Sequence, residues 1–195
     1  MCCRYYMASD IKEKLEEELG MQPGSLSGVK PGDVSPGDNP LVFIHRGDRV
    51  VPENIGWGIP GPGNKLIINA RAETVFNKRM FCDGILHRRC IVPASLFYEW
   101  DKDKTKVSFE RPSGDPIYLA GFFNDTDNGR RFVILTTSPN ESVKRIHDRM
   151  PLIMAKDEVA AWLLDERAAG ELLKKEGPQL DNDRKYEQLS LFDMM

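Results

Sequence analysis

The second residue of the chain, Cys2, could become a 1,2-aminothiol, which is a residue with both a free α-amine and a thiol. This requires removal of Met1, which a small second residue permits. The amine can form an imine with an aldehyde, and the thiol can then close on the imine carbon to give a thiazolidine ring. We expect both groups to be partly nucleophilic near neutral pH, because an α-amine has a pKa of about 8 and a cysteine thiol a pKa of about 8.5. The alternative is a cysteine with no chemical role.

Two polar residues end the apolar segment LIINAR. Asn69 and Arg71 are two residues apart, so on an extended chain their side chains point to the same side. Asn69 could orient an amine or a carbonyl, and Arg71 could bind a phosphate. The alternative is a strand that ends in asparagine and carries a surface arginine.

Two further residues could transfer protons. Glu99 lies between Tyr98 and Trp100, where an apolar environment would raise the pKa of its carboxyl and suit it to general acid/base catalysis. The alternative is an outward-facing strand residue. His147 follows the turn TTSPNES and could relay protons near neutral pH. The alternative is a histidine bonded to Asp148 or to the backbone.

Positive side chains also alternate with apolar ones in a pattern that suits single-stranded DNA, whose phosphates need charge and whose bases need stacking surfaces. The alternative is an ordinary solvated surface. The set comprises Arg4, Trp57, Lys78, Arg79, Met80, Phe81, Arg88 and Arg89.

Composition limits the class of protein. The chain has 195 residues, 41% of them hydrophobic, which suits one domain with a substantial core. A net charge of −3 argues against non-specific coating of nucleic acid, so any DNA contact must come from a local patch. The four cysteines have neither zinc-type nor disulfide-framework spacing, and we expect no metal and no cofactor. No segment reads as a signal peptide or membrane span, which predicts a cytoplasmic, nucleoid-associated protein.

The elements that must position these residues are mainly strands. Ile11, Leu15 and Leu19 predict a first helix capped by Ser9 or Asp10, and residues 24–40 predict a loop. Short β-rich runs fill residues 41–137, and two amphipathic helices follow Pro151. The predicted fold class is α+β, mainly β, with a curved or barrel-like antiparallel sheet and flanking helices. One domain is expected over residues 1–178, followed by a polar tail over residues 179–195.

Seven motifs in order resemble the SRAP family (SOS-response-associated peptidase). They are MC-x-R at the start, DVSPG at 33–37, WGIP at 57–60, NARAET at 69–74, RMF at 79–81, RCIVPASLFYEW at 89–100 and IHDRMP at 146–151. The resemblance implies a β-rich domain with a positively charged groove for single-stranded DNA. It also implies loss of Met1, by self-cleavage or by an aminopeptidase, and a covalent thiazolidine crosslink to abasic sites in the DNA damage response, with lyase activity.

The resemblance carries roles to individual residues. Cys2, Asn69, Glu99 and His147 match the family's catalytic positions. Arg4, Arg71 and Arg79 would bind phosphates beside the lesion, and Trp57 and Met80 would wedge against bases. Such a protein is expected to act as a monomer. One departure is Cys3, which replaces the family's usual glycine and could crowd the pocket or compete for the aldehyde.

The tail has a motif of its own. Gln188, Leu189, Ser190, Leu191 and Phe192 match the short QL(S/D)LF peptide with which many bacterial proteins bind the replication sliding clamp. A polar tail that delivers Leu191 and Phe192 to an apolar slot is a common mode of recruitment. The alternative is that these side chains pack on the domain.

Two other functions are compatible with the same residues. A thiol peptidase or amidohydrolase could use Cys2 with His147 and Glu99 on peptide substrates, although the sequence shows neither an oxyanion hole nor a cleft. A non-enzymatic module could bind single-stranded DNA or the clamp without forming a covalent product.

Overall fold

The computed structural model describes residues 2–184, apart from the side chain of Asn64. Its α-helices are α1 (Ile11–Glu18), α2 (Arg79–His87), α3 (Val159–Leu164) and α4 (Glu166–Leu172). Short 3-10 helices span Pro62–Asn64, Ala72–Asn77 and Lys156–Glu158. The strands are β1 (Tyr5–Met7), β2 (Gly32–Val34), β3 (Leu41–Arg46), β4 (Arg49–Asn54), β5 (Gly56–Trp57), β6 (Ile59–Pro60), β7 (Leu66–Ile67), β8 (Asn69–Arg71), β9 (Arg89–Ala94), β10 (Leu96–Trp100), β11 (Lys106–Glu110), β12 (Ile117–Thr126), β13 (Gly129–Thr137), β14 (Met150–Pro151), β15 (Ile153–Met154) and β16 (Asp181–Arg184).

The strands form two main sheets. The smaller sheet has the order β16-β11-β10-β1-β2, and all its pairings are antiparallel. The larger sheet follows the path β14-β13-β12-β9-β3-β4, with β15 beside β12 and with β5 and β8 parallel to β13. The prediction of a mainly β protein with flanking helices is confirmed, and the described strands do not close into a barrel.

Both faces of the larger sheet are buried along its central strands. Alternate side chains of a strand point to opposite faces, so Val133 and Leu135 of β13 join the core that includes the helices. Phe132 and Ile134 join the second core, which includes Phe97 and other residues of the smaller sheet. The protein is therefore built in three layers, with the larger sheet between the helices and the smaller sheet.

Several sequence predictions can be compared with these elements. The first helix is confirmed with Ile11 and Leu15 buried, and both predicted C-terminal helices are present as α3 and α4. The basic segment after residue 78 forms helix α2, and the predicted loop contains strand β2, neither of which was predicted.

A further strand follows the predicted domain boundary at residue 178. Asp181–Arg184 pairs with β11 and extends the smaller sheet. The clamp-like residues Gln188, Leu189, Leu191 and Phe192 lie outside the described residues. Among the helices in residues 2–184, none combines the length and apolar character that a membrane span needs.

Candidate active site between the two sheets

Cys2 lies between the two sheets and is fully buried. The segment is held beside β10, where the backbone N–H of Tyr98 donates to the carbonyl of Arg4 at 3.0 Å. The thiol Sγ lies 3.9 Å from the same carbonyl. Burial, with a smaller contribution from the charge of Glu99, raises the pKa of the Cys2 thiol. At this buried position the fraction of thiolate at neutral pH is therefore lower than at an exposed cysteine.

Asn69 holds the N-terminal segment in place. It opens β8, whose next residue, Ala70, points into the core on the helix side of the sheet. Strand alternation therefore turns Asn69 and Arg71 towards the opposite side. The side-chain Nδ2 of Asn69 donates to the carbonyl of Cys2 at 2.8 Å. Its Oδ1 is buried and has no hydrogen-bond partner within residues 2–184.

Glu99 faces the same space from the smaller sheet. In β10, the alternation that buries Phe97 also buries Glu99, which is 2% exposed. Removal from water disfavours a charged carboxylate, and burial therefore raises the pKa of Glu99. A carboxyl group of this kind can donate and accept protons nearer to neutral pH than an exposed glutamate can.

His147 approaches Glu99 from the turn that connects β13 to β14. Val143 and Ile146 anchor this turn in the core between the sheets, and the N–H of His147 donates to the carbonyl of Val143 at 3.0 Å. The imidazole Nε2 lies 3.9 Å from Oε2 of Glu99. The two side chains are close enough to exchange a proton directly after a small movement or through one water molecule.

The structure thus brings together Cys2, Asn69, Glu99 and His147, which come from four distant parts of the chain. The other two histidines lie elsewhere. His45 is on β3, and His87 at the end of α2 is 3.6 Å from the carboxylate of Glu166. The chemical roles of the four clustered residues remain predictions.

Sequence reasoning missed an ion pair beside this cluster. The guanidinium of Arg149 meets the carboxylate of Glu73 through two bonds of 2.7 and 2.8 Å, and it also donates to the carbonyl of Thr136 at 2.6 Å. Both residues lie inside the recognised motifs NARAET and IHDRMP, which was a signal of their importance. Their pairing, across 76 positions of sequence, could not be predicted from the motifs.

The predicted DNA contacts divide into exposed and buried residues. Arg71, Arg79 and Met80 are exposed, and Arg4 is partly buried. Phe76, which was not predicted, is 47% exposed on the 3-10 helix that leads to α2. The exposed members are free to contact a ligand strand, and their role in DNA binding remains a prediction.

The structure corrects the predicted DNA contact of Trp57, because the ring of this residue is fully buried. It lies 5.5 Å from the ring of Tyr5 and stacks on Phe132, and its Nε1 donates to the carbonyl of Ile68 at 3.0 Å. The prediction that Trp57 wedges against bases is wrong, because the ring is part of the core.

Two other members of the basic and aromatic set are also buried. Phe81 packs in the core against Phe122. Arg89 is 4% exposed, and its guanidinium donates to carbonyls near the ends of α2 and α3, those of Ile85, Leu86, Trp162 and Leu163. Arg89 therefore caps two helix ends, which leaves its charge unavailable for phosphate.

Comparison with known proteins shows the family of the chain. The sequence matches the SOS response associated peptidase (SRAP) family over residues 1–188. The chain belongs to the SRAP family. It is 34% identical over 193 residues to the abasic site processing protein YoaM of Bacillus subtilis, with 89% of this chain and 84% of that protein covered. It is 30% identical to the abasic site processing protein YedK of Escherichia coli, with 80% and 73% covered.

Solved structures show the same SRAP-like fold. A protein from Bacteroides thetaiotaomicron superimposes with a TM-score of 0.77 at 24% identity, covering 95% of this chain and 93% of that chain. A phage-related protein from Bordetella bronchiseptica gives a TM-score of 0.77 at 22% identity, covering 94% of each chain.

Proposed function

We propose that this protein processes abasic sites in single-stranded DNA by capturing the lesion covalently through Cys2. The observation that carries the proposal is the placement of Cys2, whose carbonyl is held at 2.8 Å by Asn69 beside the buried carboxyl of Glu99. Membership in the SRAP family supports it, as do relatives that bear the name abasic site processing proteins. The reacting group would be the aldehyde of the ring-opened deoxyribose.

The reaction begins with removal of Met1, which frees the α-amine of Cys2. The buried Oδ1 of Asn69 has no hydrogen-bond partner within residues 2–184, and a buried acceptor of this kind favours a donor. The freed amine of Cys2 is a suitable donor, since Asn69 already contacts the same residue through Nδ2. Asn69 would then orient the amine towards the incoming aldehyde.

The abasic sugar must open before it can be captured, because it exists mainly as a closed hemiacetal. His147 and Glu99 together would move the proton of the C1′ hydroxyl to the ring oxygen, which opens the ring and releases the aldehyde. The amine nitrogen then attacks C1′, and loss of water gives the imine. Glu99, whose pKa burial raises, would supply the proton to the departing hydroxyl.

Ring closure completes the capture. The sulfur of Cys2 attacks the imine carbon, and the nitrogen gains the proton that the thiol loses, so amine, thiol and aldehyde together yield one thiazolidine and one water. Because burial raises the pKa of the thiol, sulfur attack and proton loss must be closely coupled. Glu99 is the nearby carboxyl that could carry this proton.

The imine also explains how strand cleavage could compete with capture. Conversion of C1′ to an imine makes the proton on C2′ more acidic, and its loss expels the 3′ phosphate. Lyase activity would therefore appear when ring closure is slow. The same residues, Glu99 and His147, would supply the proton transfers.

The decisive experiment is a denaturing gel of the protein mixed with single-stranded DNA, with and without one abasic site. We expect a slow-migrating adduct only with the abasic strand. Cys2→Ala should abolish the adduct because it removes the thiol, whereas Cys3→Ala should preserve it because Cys3 lacks the α-amine. An adduct that persists in Cys2→Ala would refute the mechanism.

Met1 must also be absent from the active protein. Mass spectrometry of the intact protein should give the mass of a chain that begins at Cys2. Self-cleavage predicts that Glu99→Gln or His147→Gln retains Met1 in the purified protein, whereas an aminopeptidase would still remove it. Retention of Met1 in the wild-type protein would contradict the proposed capture.

The same gel separates the two other functions. A thiol peptidase would cleave peptide substrates and form no DNA adduct, and a non-enzymatic module would bind DNA without a covalent product. The raised pKa of the Cys2 thiol disfavours the peptidase, because that mechanism needs a ready thiolate. If the protein acts on DNA, it would work at the nucleoid in the cytoplasm. We propose that it does so as a monomer.

We also propose that the C-terminal segment recruits the protein to the replication sliding clamp. The match of Gln188, Leu189, Ser190, Leu191 and Phe192 to the clamp-binding peptide supports this, and the residues lie outside the described part of the chain. A peptide of residues 183–195 should bind the clamp with micromolar affinity, and Phe192→Ala should remove binding. The idea fails if the intact peptide shows no binding.

A further inference from the structure

Arg149, two residues after His147, holds the turn that carries this histidine. The side chain of Arg149 is 12% exposed, and its bidentate partner Glu73 is 44% exposed. Thr136 adds a backbone acceptor at 2.6 Å. Two acceptors from different segments, the Glu73 carboxylate and the Thr136 carbonyl, therefore hold one guanidinium.

The backbone of Arg149 in turn contacts the imidazole of His147. Its N–H donates to Nδ1 at 3.0 Å, so in the neutral imidazole the proton lies on Nε2, the nitrogen that faces Glu99 at 3.9 Å. Asp148 opposes this arrangement. Its carboxylate lies 3.0 Å from Nδ1 and favours a proton there, although its side chain is 86% exposed and the effect is screened by water.

We propose that Glu73 is a positioning residue for His147, acting through Arg149. By holding the guanidinium, Glu73 keeps the Arg149 N–H against Nδ1 and keeps the protonated Nε2 directed at Glu99. Asn69, four residues before Glu73, holds Cys2, so one short segment supports both the nucleophile and the proton relay. This inference rests on the proposed function for its kinetic effect, but the imidazole tautomer can be measured without DNA.

A direct role for Arg149 in binding phosphate is the competing interpretation. In this structure its two terminal nitrogens are occupied by Glu73 and Thr136, and the side chain is largely buried. The two interpretations predict different measurements. Loss of a positioning contact lowers the rate of the bound complex, whereas loss of a phosphate contact weakens the affinity for DNA and its dependence on salt.

The test compares Glu73→Gln and Glu73→Ala with Glu53→Gln as the matched control. Glu53 also joins two arginines, Arg46 and Arg130, at 2.8 and 2.6 Å, but it lies on β4 at the other end of the larger sheet. Long-range ¹H–¹⁵N spectra report the tautomer of each neutral imidazole. The chain has 3 histidines, so the signal of His147 is assigned by its loss in His147→Gln.

We expect the wild-type protein and Glu53→Gln to show the Nε2–H tautomer at His147. Glu73→Ala should show a mixture of tautomers, and Glu73→Gln, which retains one hydrogen bond to Arg149, should lie between them. The rate of adduct formation at saturating DNA should fall about tenfold in Glu73→Ala. Affinity, measured in the Cys2→Ala background, should change less than about twofold.

An unchanged tautomer in both Glu73 variants would overturn the inference, as would a loss of affinity with no loss of rate. If Glu73→Ala fails to fold, Glu73→Gln decides the question with the same two measurements. If the wild-type protein forms no adduct at all, the proposed function fails, and the tautomer comparison still tests the role of Glu73.

Discussion

The residues predicted to react lie in the buried space between the sheets, whereas the exposed residues predicted to contact DNA lie on the surface around α2. Cys2 and Glu99 are 0% and 2% exposed, whereas Met80 and Phe76 are 42% and 47% exposed. Burial favours the protonated form of both Cys2 and Glu99, since it raises the pKa of each group. The exposed surface remains in water, where charge and stacking act. Under the proposed function, the inner residues would control the reaction rate and the outer residues would control DNA binding.

The largest expected effect comes from Glu99. Glu99→Gln keeps the shape of the side chain but removes its proton transfer, and the rate of adduct formation should fall by a factor of about 10² or more. DNA affinity should not change. Single-turnover gels at saturating abasic DNA measure the rate, and Glu110→Gln, exposed on the neighbouring strand β11, is the control. Equal losses of affinity and rate would break the division between the inner and outer regions.

The next largest effect is the difference in stability between alanine variants of Trp57 and Met80. Trp57→Ala removes a fully buried ring and should lower the free energy of unfolding by about 3 kcal/mol. Met80→Ala, at an exposed position, should change it by less than about 0.5 kcal/mol. Denaturant titration measures both values. DNA affinity should fall more in Met80→Ala than in Trp57→Ala. A specific loss of affinity in folded Trp57→Ala would mean that its ring does reach the DNA.

A smaller effect concerns the outer arginines. If Arg71 and Arg79 bind phosphates, replacing each by alanine should reduce the slope of log affinity against log salt by about 0.7. The rate of the bound complex should remain that of the wild-type protein. Binding assays over a series of salt concentrations give the slope. Arg46→Ala, on β3 and outside the predicted DNA-binding set, should leave the slope unchanged, and a similar effect there would indicate non-specific attraction.

The smallest effect is the dependence of stability on pH. Because burial raises the pKa of Glu99, the folded state keeps the proton to a higher pH than the unfolded chain does. Its contribution to stability is therefore fully present below the unfolded value of about 4.3 and is lost as the pH rises through the folded value. Glu99→Gln has no carboxyl to ionise at this position, so its stability does not fall in this way as the pH rises.

The check is to measure unfolding free energies of the wild-type protein and Glu99→Gln at about pH 4 and about pH 8. The variant should gain stability relative to the wild-type protein at the higher pH. A constant difference across this range would show that the carboxyl of Glu99 is not desolvated.

The local features of the site were predictable from the sequence, because they depend on short-range geometry. A cysteine after Met1 defines the aminothiol, and two-residue alternation places Asn69 with Arg71 on one side of a strand. The same alternation places Glu99 with Phe97, and the apolar spacing of Ile11 and Leu15 predicts the first helix.

The tertiary structure decided which of these residues are buried and which distant residues meet. Trp57 and Arg79 look alike as candidates for DNA contact in the sequence, yet one is in the core and the other at the surface. The raised pKa of the Cys2 thiol and the pairing of Glu73 with Arg149 likewise depend on segments far apart in the chain. Short patterns determine the direction of a side chain from its own strand, whereas desolvation and ion pairing depend on what the rest of the fold places against it.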